Sequence, residues 1–377
     1  IQHLLELDKN DPLRPVLGST VWGPGRCEGT QNIGISLHVK DDWIVPDAGN
    51  SPYGLTPNSN FAFRLPDSDI VFEGSMVSRC TEGGAVYMPE WMKYPDNRKY
   101  QDIKGDGLSG GGQGASGMSA LGGTIRLGEL VNDEPVRHAL KINPWAEKYC
   151  YYSQSIPGYK WPAKSADNYA SEGYKGTNPL IVMGTLFAIP PGVTEESLEL
   201  TTIPGRKLFF TMQNYGVYFT EDAAWDTWDI ILERDAETEF KEKYGFSMSS
   251  STWRIELNKL MKALHIVVNN SPSGIGGGGQ ALQPLAPSFE SDYPSSVSSF
   301  SNKSDSVNKA LFWTREGNQL QFDHQVDVEI YNLHGSLCVK AVNATSINIA
   351  HLSQGIFILR IKSKGNYFFR KILVQDV

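Results

Sequence analysis

The sequence predicts a mainly β protein: a large β-sandwich or jelly-roll-like body with two or three helices, followed by a small C-terminal antiparallel β-sandwich. Three observations point there. Short runs of β-branched and aromatic residues recur through the first 287 positions, with Gly and Pro between them. Periodicity of 3.6 residues is confined to a few segments. A Ser-rich stretch then separates this body from a tail whose apolar residues alternate at period two.

In the body, residues 34–39, 61–65, 69–74, 84–87, 123–127, 138–142, 180–188 and 215–219 read as strands joined by long loops. The best helix covers 252–264. There Trp253, Leu257, Leu260, Met261 and Leu264 share one face behind a Ser/Thr-rich start. A second helix is expected over 206–214, after Pro204 and Gly205, and a third over 237–243.

Residues 288–306 hold nine serines with Pro294, Asn302 and Lys303, the composition of a solvated linker. Charge divides at the same place. Residues 1–300 carry 25 basic and 36 acidic side chains, net −11, whereas 301–377 carry 9 and 6, net +3. The expected organisation is a body at 1–287, a linker at 288–306 and a tail at 307–377. Within the tail, runs at 309–314, 319–322, 326–331, 336–342, 346–349, 355–362 and 367–374 alternate with turn residues. Val326, Val328 and Ile330, like Ile356, Ile358 and Arg360, are spaced as on half-buried strands.

The tail runs Val328-Glu329-Ile330-Tyr331-Asn332-Leu333-His334-Gly335, then Ile347-Asn348-Ile349, Leu352-Ser353-Gln354-Gly355-Ile356-Phe357-Ile358-Leu359 and Lys371-Ile372-Leu373-Val374. In this order it resembles the C-terminal sorting domain of the type IX secretion system of Bacteroidetes. Cys338 departs from the pattern, standing where a plain apolar or polar strand residue is expected. The resemblance implies export, the type IX secretion machinery as partner, and a protein secreted or attached at the cell surface. The tail is then an address and carries no chemistry. The body, through Gly114 to Leu130, Arg137-His138-Ala139-Leu140-Lys141, Trp161-Pro162-Ala163, Gln213-Asn214-Tyr215-Gly216 and Asn269-Asn270-Ser271-Pro272, is similar to exported bacterial proteins of uncertain activity. That likeness carries over no catalytic residue.

Several functions are disfavoured. The formal net charge is −8, and no Lys/Arg run supplies the footprint of a nucleic-acid binder. The longest apolar stretches are about half the ~20 residues of a membrane-spanning helix. No signal leader precedes Ile1, so any such peptide lies outside these residues. The four cysteines, Cys27, Cys80, Cys150 and Cys338, form no CxxC pair and no zinc spacing, so no metal or other cofactor is expected. They leave open one disulfide, two, or unpaired thiols. The Gly-rich segments 105–119 and 274–279 lack GxxxxGK[ST], and read as loops that let the chain run close to the core. No GxSxG elbow is present.

The densest chemical cluster is 213–229, with four carboxylates and two tryptophans in its last nine residues. Sugars present flat C–H faces and many hydroxyls, so their sites pair aromatic platforms with carboxylates. Glycosidic cleavage uses two carboxyl groups, one protonated and one ionised. If the segment is a strand, Asp222 and Asp226 face one side. Candidate catalytic residues are therefore Asp222, Asp226 and His138. Candidate substrate contacts are Trp225, Trp228, Tyr215, Tyr218, Arg79 and Trp161. A lyase would instead need a cation and a base, for which Arg79, Arg137, His138, Lys141, Tyr215, Tyr218 and His265 are available. Loops 160–169 and 89–95 add exposed aromatics. The expected function is a secreted enzyme acting on extracellular polysaccharide, a glycoside hydrolase ahead of a lyase. The alternative is a non-catalytic glycan-binding, adhesive or assembly protein at the cell surface.

Overall fold

The computed structural model describes residues 1–48, 58–286, 313–316, 318–332, 337–363 and 366–374. The expected linker, 288–306, lies entirely outside them. The chain divides into two compact units, Ile1–Ser288 and Phe289–Val377.

Among the described residues the first unit has twelve strands: β1 (Gln2–Glu6), β2 (Leu13–Ser19), β3 (Asn32–His38), β4 (Asn60–Arg64), β5 (Ile70–Gly74), β6 (Val86–Pro89), β7 (Lys99–Asp102), β8 (Leu140–Pro144), β9 (Leu186–Ala188), β10 (Val217–Phe219), β11 (Trp228–Ile230) and β12 (His265–Ile266). They form a four-stranded sheet β1-β4-β5-β7, a three-stranded sheet β3-β2-β6 and a five-stranded sheet β11-β8-β10-β9-β12. The first two sandwich one core. Ile33, Ile35 and Leu37 alternate inward from β3 and meet Phe61, Phe63 and Phe72 of β4 and β5. Pairing is mixed: β1 with β4, β2 with β6 and β8 with β10 run parallel.

The five-stranded sheet is covered on one face by helices α3 (Ile203–Asn214), α4 (Ala236–Tyr244) and α5 (Ser251–Ala263). These lie where the sequence predicts helices. Thr202 caps α3 by accepting from Gly205 N, and Ser250 caps α5 by accepting from Trp253 N. Leu208, Met212, Phe240, Trp253 and Leu260 bury against Leu140, Ile142 and Val217. Single-turn helices α1 (Ala146–Tyr149) and α2 (Ala170–Gly173) join a second cluster with the sheet through Ala146, Ala170, Tyr174 and Phe219. Two expected strands shrink. Residues 123–127 keep one bridge, Ile125 to Leu232, and 180–188 is a strand only from Leu186.

A disulfide joins Cys27 to Cys80, while Cys150 is a buried thiol and Cys338 is exposed. The bond fits an oxidising compartment.

The second unit is one antiparallel sheet of β13 (Trp313–Glu316), β14 (Gln319–Asn332), β15 (Leu337–Asn348), β16 (Gly355–Ser363) and β17 (Asn366–Val374). Runs expected as separate strands merge into β14 and β15, with register shifts between them. Val326, Val328 and Ile330 are buried as expected, but β16 buries Phe357, Leu359 and Ile361, with Ile358 and Arg360 only half-buried. Both faces of β16 are largely apolar, so alternation alone cannot choose. Pairing of Val328 with Ile361 and Ile330 with Leu359 makes the choice.

Segment 105–124 runs between the sandwich and the five-stranded sheet, and its glycines are dictated by lack of space. A Cβ on Gly112 would lie 2.2 Å from Ala120 Cβ, and one on Gly123, which has φ +77°, would lie 2.7 Å from Lys141 Cγ. Gly112→Ala and Gly123→Ala are each expected to destabilise by about 1–3 kcal/mol or more. Gly192→Ala, where a Cβ meets nothing within 4 Å, is the neutral control. Thermal unfolding checks this, and equal midpoints for all three would refute the packing argument. Replacing Cys27 and Cys80 by Ser is expected to cost about 2–5 kcal/mol by the same measurement.

Candidate functional site

The chemistry of the body starts from ionisable groups withdrawn from water. β5 contributes Glu73, β8 contributes Lys141, and the residue two beyond β10 is Glu221, all buried. Segment 105–124 supplies their partners. Glu73 accepts from Gly111 N at 2.9 Å, Ser119 Oγ at 2.7 Å and Leu121 N at 3.1 Å, and from Gln101 Nε2 at 2.7 Å. Lys141 Nζ donates to the carbonyls of Ser119 and Ala120 at 2.9 and 2.8 Å. Ala115 N donates to Glu221 at 3.0 Å. Burial pushes Glu221 up to about 8, helped by Asp167, and burial drives Lys141 down to about 7 against the pull of Glu73 and Glu221. Lys141 is thus a structural strut and not a cation available to substrate.

Beside this seam the chain builds an open patch around α1. Asp222 follows Glu221, and its Oδ1 accepts from Ala146 N at 2.6 Å at the start of the turn. Its Oδ2 accepts from the Tyr169 hydroxyl. Burial raises the Asp222 carboxyl above its ordinary value despite these hydrogen bonds, and Glu147 adds to the rise. Asp226 lies at the other end of the turn, exposed, accepting from Lys148 Nζ at 2.5 Å and from Tyr149 Oη at 2.9 Å. Those two bonds, with Lys148 first, hold it below the ordinary carboxylate range. Around the pair, Trp225 is 52 % exposed, Tyr169 43 % and Tyr149 40 %. Asp222 and Asp226 do belong to one patch, but not through strand spacing: 220–227 is a loop between β10 and β11.

The other candidates are dispersed. His138 lies away from the patch and pairs through Nε2 with Glu129 at 3.1 Å and through Nδ1 with the Ala139 carbonyl at 2.9 Å. Burial raises Glu129, but His138 and then Arg126 outweigh it and hold the carboxyl at about 2. Arg79 must be withdrawn as a substrate contact. Its side chain is fully buried and donates to the carbonyls of Lys40 at 2.5 Å, Trp43 at 2.7 Å and Gly84 at 3.1 Å. An irregular stretch of backbone before β4 needs those donors, which is why a cation sits inside. Trp228 packs on the helical core with Nε1 on Asn258 Oδ1 at 3.3 Å. Tyr215 donates to the Pro284 carbonyl at 2.6 Å, and Tyr218 to Asn270 Oδ1 at 3.4 Å. Trp161 precedes a cis proline and is half-buried with Nε1 unpartnered. His265 is exposed and bonded to the Ala263 carbonyl.

Sequence reasoning misses Asp167, Lys148 and the role of Tyr169. Asp167 Oδ2 accepts from Tyr174 Oη at 2.6 Å, and burial, then Asp222, push its carboxyl up. The aromatic loop 160–169 is legible as a surface feature. Its link to Asp222 spans 53 residues, and no local spacing encodes that.

Two outcomes are expected. Tyr169→Phe removes a donor that favours the charged form, so the Asp222 carboxyl should rise further, as read by NMR titration. An unchanged value would remove Tyr169 from the site. For Glu221, the folded chain holds the proton more tightly than the unfolded one between the ordinary 4.5 and about 8, so stability present below 4.5 declines as pH rises toward 8. Glu221→Gln cannot ionise and should show a smaller fall in melting temperature across that window. An identical fall would show that Glu221 does not titrate there.

Residues 315–375 match the family model of the secretion system C-terminal sorting domain. No curated protein matches the chain. Among the described residues, no helix is long and apolar enough to cross a membrane. The match runs from the end of β13 through β17, whose residues carry the type IX resemblance, and it stops short of the body. The tail is therefore a C-terminal sorting domain of the type IX secretion system, and the protein that bears it is secreted or attached at the cell surface.

Proposed function

We propose that the body is an exported glycoside hydrolase acting on extracellular polysaccharide, with Asp222 as the protonated carboxyl and Asp226 as the ionised one. A single observation carries the reading: one helical turn, α1, holds two carboxyl groups with opposite proton affinities, ringed by three exposed aromatic side chains. Separated proton affinities are what acid and base roles require. Exposed Trp225, Tyr149 and Tyr169 offer rings for sugar C–H faces. The lyase alternative loses support because Arg79 and Lys141 are buried, while His138 is engaged by Glu129.

The second reading, a non-catalytic glycan-binding, adhesive or assembly protein, is favoured by the engagement of both Asp226 oxygens with Lys148 and Tyr149. Turnover separates the two. Reducing-sugar release should appear on at least one glycan and fall by about 10²-fold or more in both Asp226→Asn and Asp222→Asn. The rate should be bell-shaped in pH. It declines at low pH as Asp226 takes up a proton, and at high pH as Asp222 loses one, above the ordinary carboxylate value. Glycan binding without product on any substrate would establish the second reading instead.

A further inference from the structure

We propose that Tyr169 is the catalytic residue that meets the glycosidic oxygen, relaying to it the proton that Asp222 holds. This rests on the hydrolase reading above and deepens it by naming the group that touches the substrate. The partners of the two Asp222 oxygens fix where its proton sits. Oδ1 accepts from the Ala146 amide at 2.6 Å. A backbone N–H only donates, and it bonds best to the unprotonated oxygen of a carboxylic acid. The proton therefore resides on Oδ2, whose partner is the Tyr169 hydroxyl. A hydroxyl both donates and accepts. It donates to Asp222 while the carboxyl is ionised. Once the carboxyl is protonated, it accepts from Oδ2 and its own hydrogen is released toward another acceptor. Among the described residues Asp222 is the sole hydrogen-bond partner of this hydroxyl, so that acceptor comes from outside the protein.

The ring is held so that the hydroxyl keeps this place. Tyr169 is the residue before α2, and its carbonyl accepts from Glu172 N and Gly173 N. A Cβ on Gly173 would lie 2.2 Å from Tyr169 Cδ2, so the ring lies against bare backbone there. Tyr174 meets the ring edge-on at 5.9 Å, and its own hydroxyl is tied to Asp167 Oδ2 at 2.6 Å. Tyr169 is exposed, whereas Asp222 is half-buried with both oxygens engaged. The tyrosine, and not the aspartate, presents the transferable hydrogen at the surface.

In the step, the bond from the anomeric carbon to the leaving oxygen breaks, and its electron pair stays on that oxygen. The Tyr169 hydroxyl proton passes to it, and the Asp222 Oδ2 proton passes to Tyr169 Oη. Tyrosine ends neutral. Asp222 ends as a carboxylate that accepts from Tyr169 and Ala146, the arrangement the structure holds. An oxygen lone pair from Asp226, direct or through a water that it deprotonates, fills the valence of the anomeric carbon. Burial, and then the bond to Asp222, push the Tyr169 hydroxyl above the ordinary tyrosine range, so it is no acid by itself. Coupling the two proton transfers avoids a phenolate.

Kinetics of the full chain test this on the glycan from which the wild type releases reducing sugar, and on the dinitrophenyl glycoside of that glycan's sugar. The dinitrophenolate leaves without a proton. Tyr169→Phe should lower kcat on the glycan about 10²-fold or more with KM within about twofold, yet lower it less than about threefold on the dinitrophenyl glycoside. Gly173→Ala, whose methyl displaces the ring and keeps the hydroxyl, should show the same selective loss. Circular dichroism confirms folding, and Gly173→Ala decides if Tyr169→Phe is not folded. Equal losses on the two substrates would make Tyr169 a packing or binding residue and overturn the relay. Wild-type kcat in Tyr169→Phe beside a loss in Asp222→Asn overturns the relay alone and leaves the proposed function standing. Absence of reducing-sugar release on every glycan removes the inference and the proposed function together.

Discussion

Three ionisable side chains, Glu73 on β5, Lys141 on β8 and Glu221 just beyond β10, lie out of water, and segment 105–124 supplies the partners that keep them there. Isolated charges in such surroundings would each cost several kcal/mol, roughly, before compensation. The compensation is mostly backbone: amides of Gly111, Ala115 and Leu121 and carbonyls of Ser119 and Ala120. Backbone can come this close only where side chains are absent, which explains Gly110, Gly112, Gly114 and Gly123. Glycine here serves contact between layers, and no phosphate loop is involved.

The candidate site hangs from this seam. Glu221 is anchored to Ala115 and fixes the chain just before Asp222, while Ser116 O accepts from Lys164 N and Ala115 O from Ser165 Oγ on the loop that carries Asp167 and Tyr169. Both carboxyl-bearing segments are thus positioned by the same stretch of backbone. A rigid interior locates functional groups that are themselves on irregular connections, the usual division of labour between scaffold and loops.

How much of this is legible in the sequence depends on range. The helices carrying Leu208, Phe240 and Trp253 announce themselves by local periodicity and capping residues, and β3 by the alternation of Ile33, Ile35 and Leu37. The tail's order of motifs is equally local. Residues 123–127 look like a strand because Thr124, Ile125 and Leu127 have the composition of one, but Gly123 turns the chain at positive φ and only Ile125 pairs. Arg79 looks available because arginine is usually exposed, whereas its partners are carbonyls, one five residues later and others 36 to 39 residues earlier. Asp222 and Asp226 each bond to the helical turn at residues 146–149, across a distance that no strand spacing encodes.

The amide of Ala115 and the carboxyl of Glu221 are 106 positions apart, and Gly111 and Glu73 are 38 apart. Closing such long loops costs entropy that is recovered only when both ends arrive. The glycine-rich connection between the layers can therefore settle only after distant parts of the chain have met. Until then its amides lack these carboxylate partners, so an unfolded chain leaves this stretch open to hydrolytic attack.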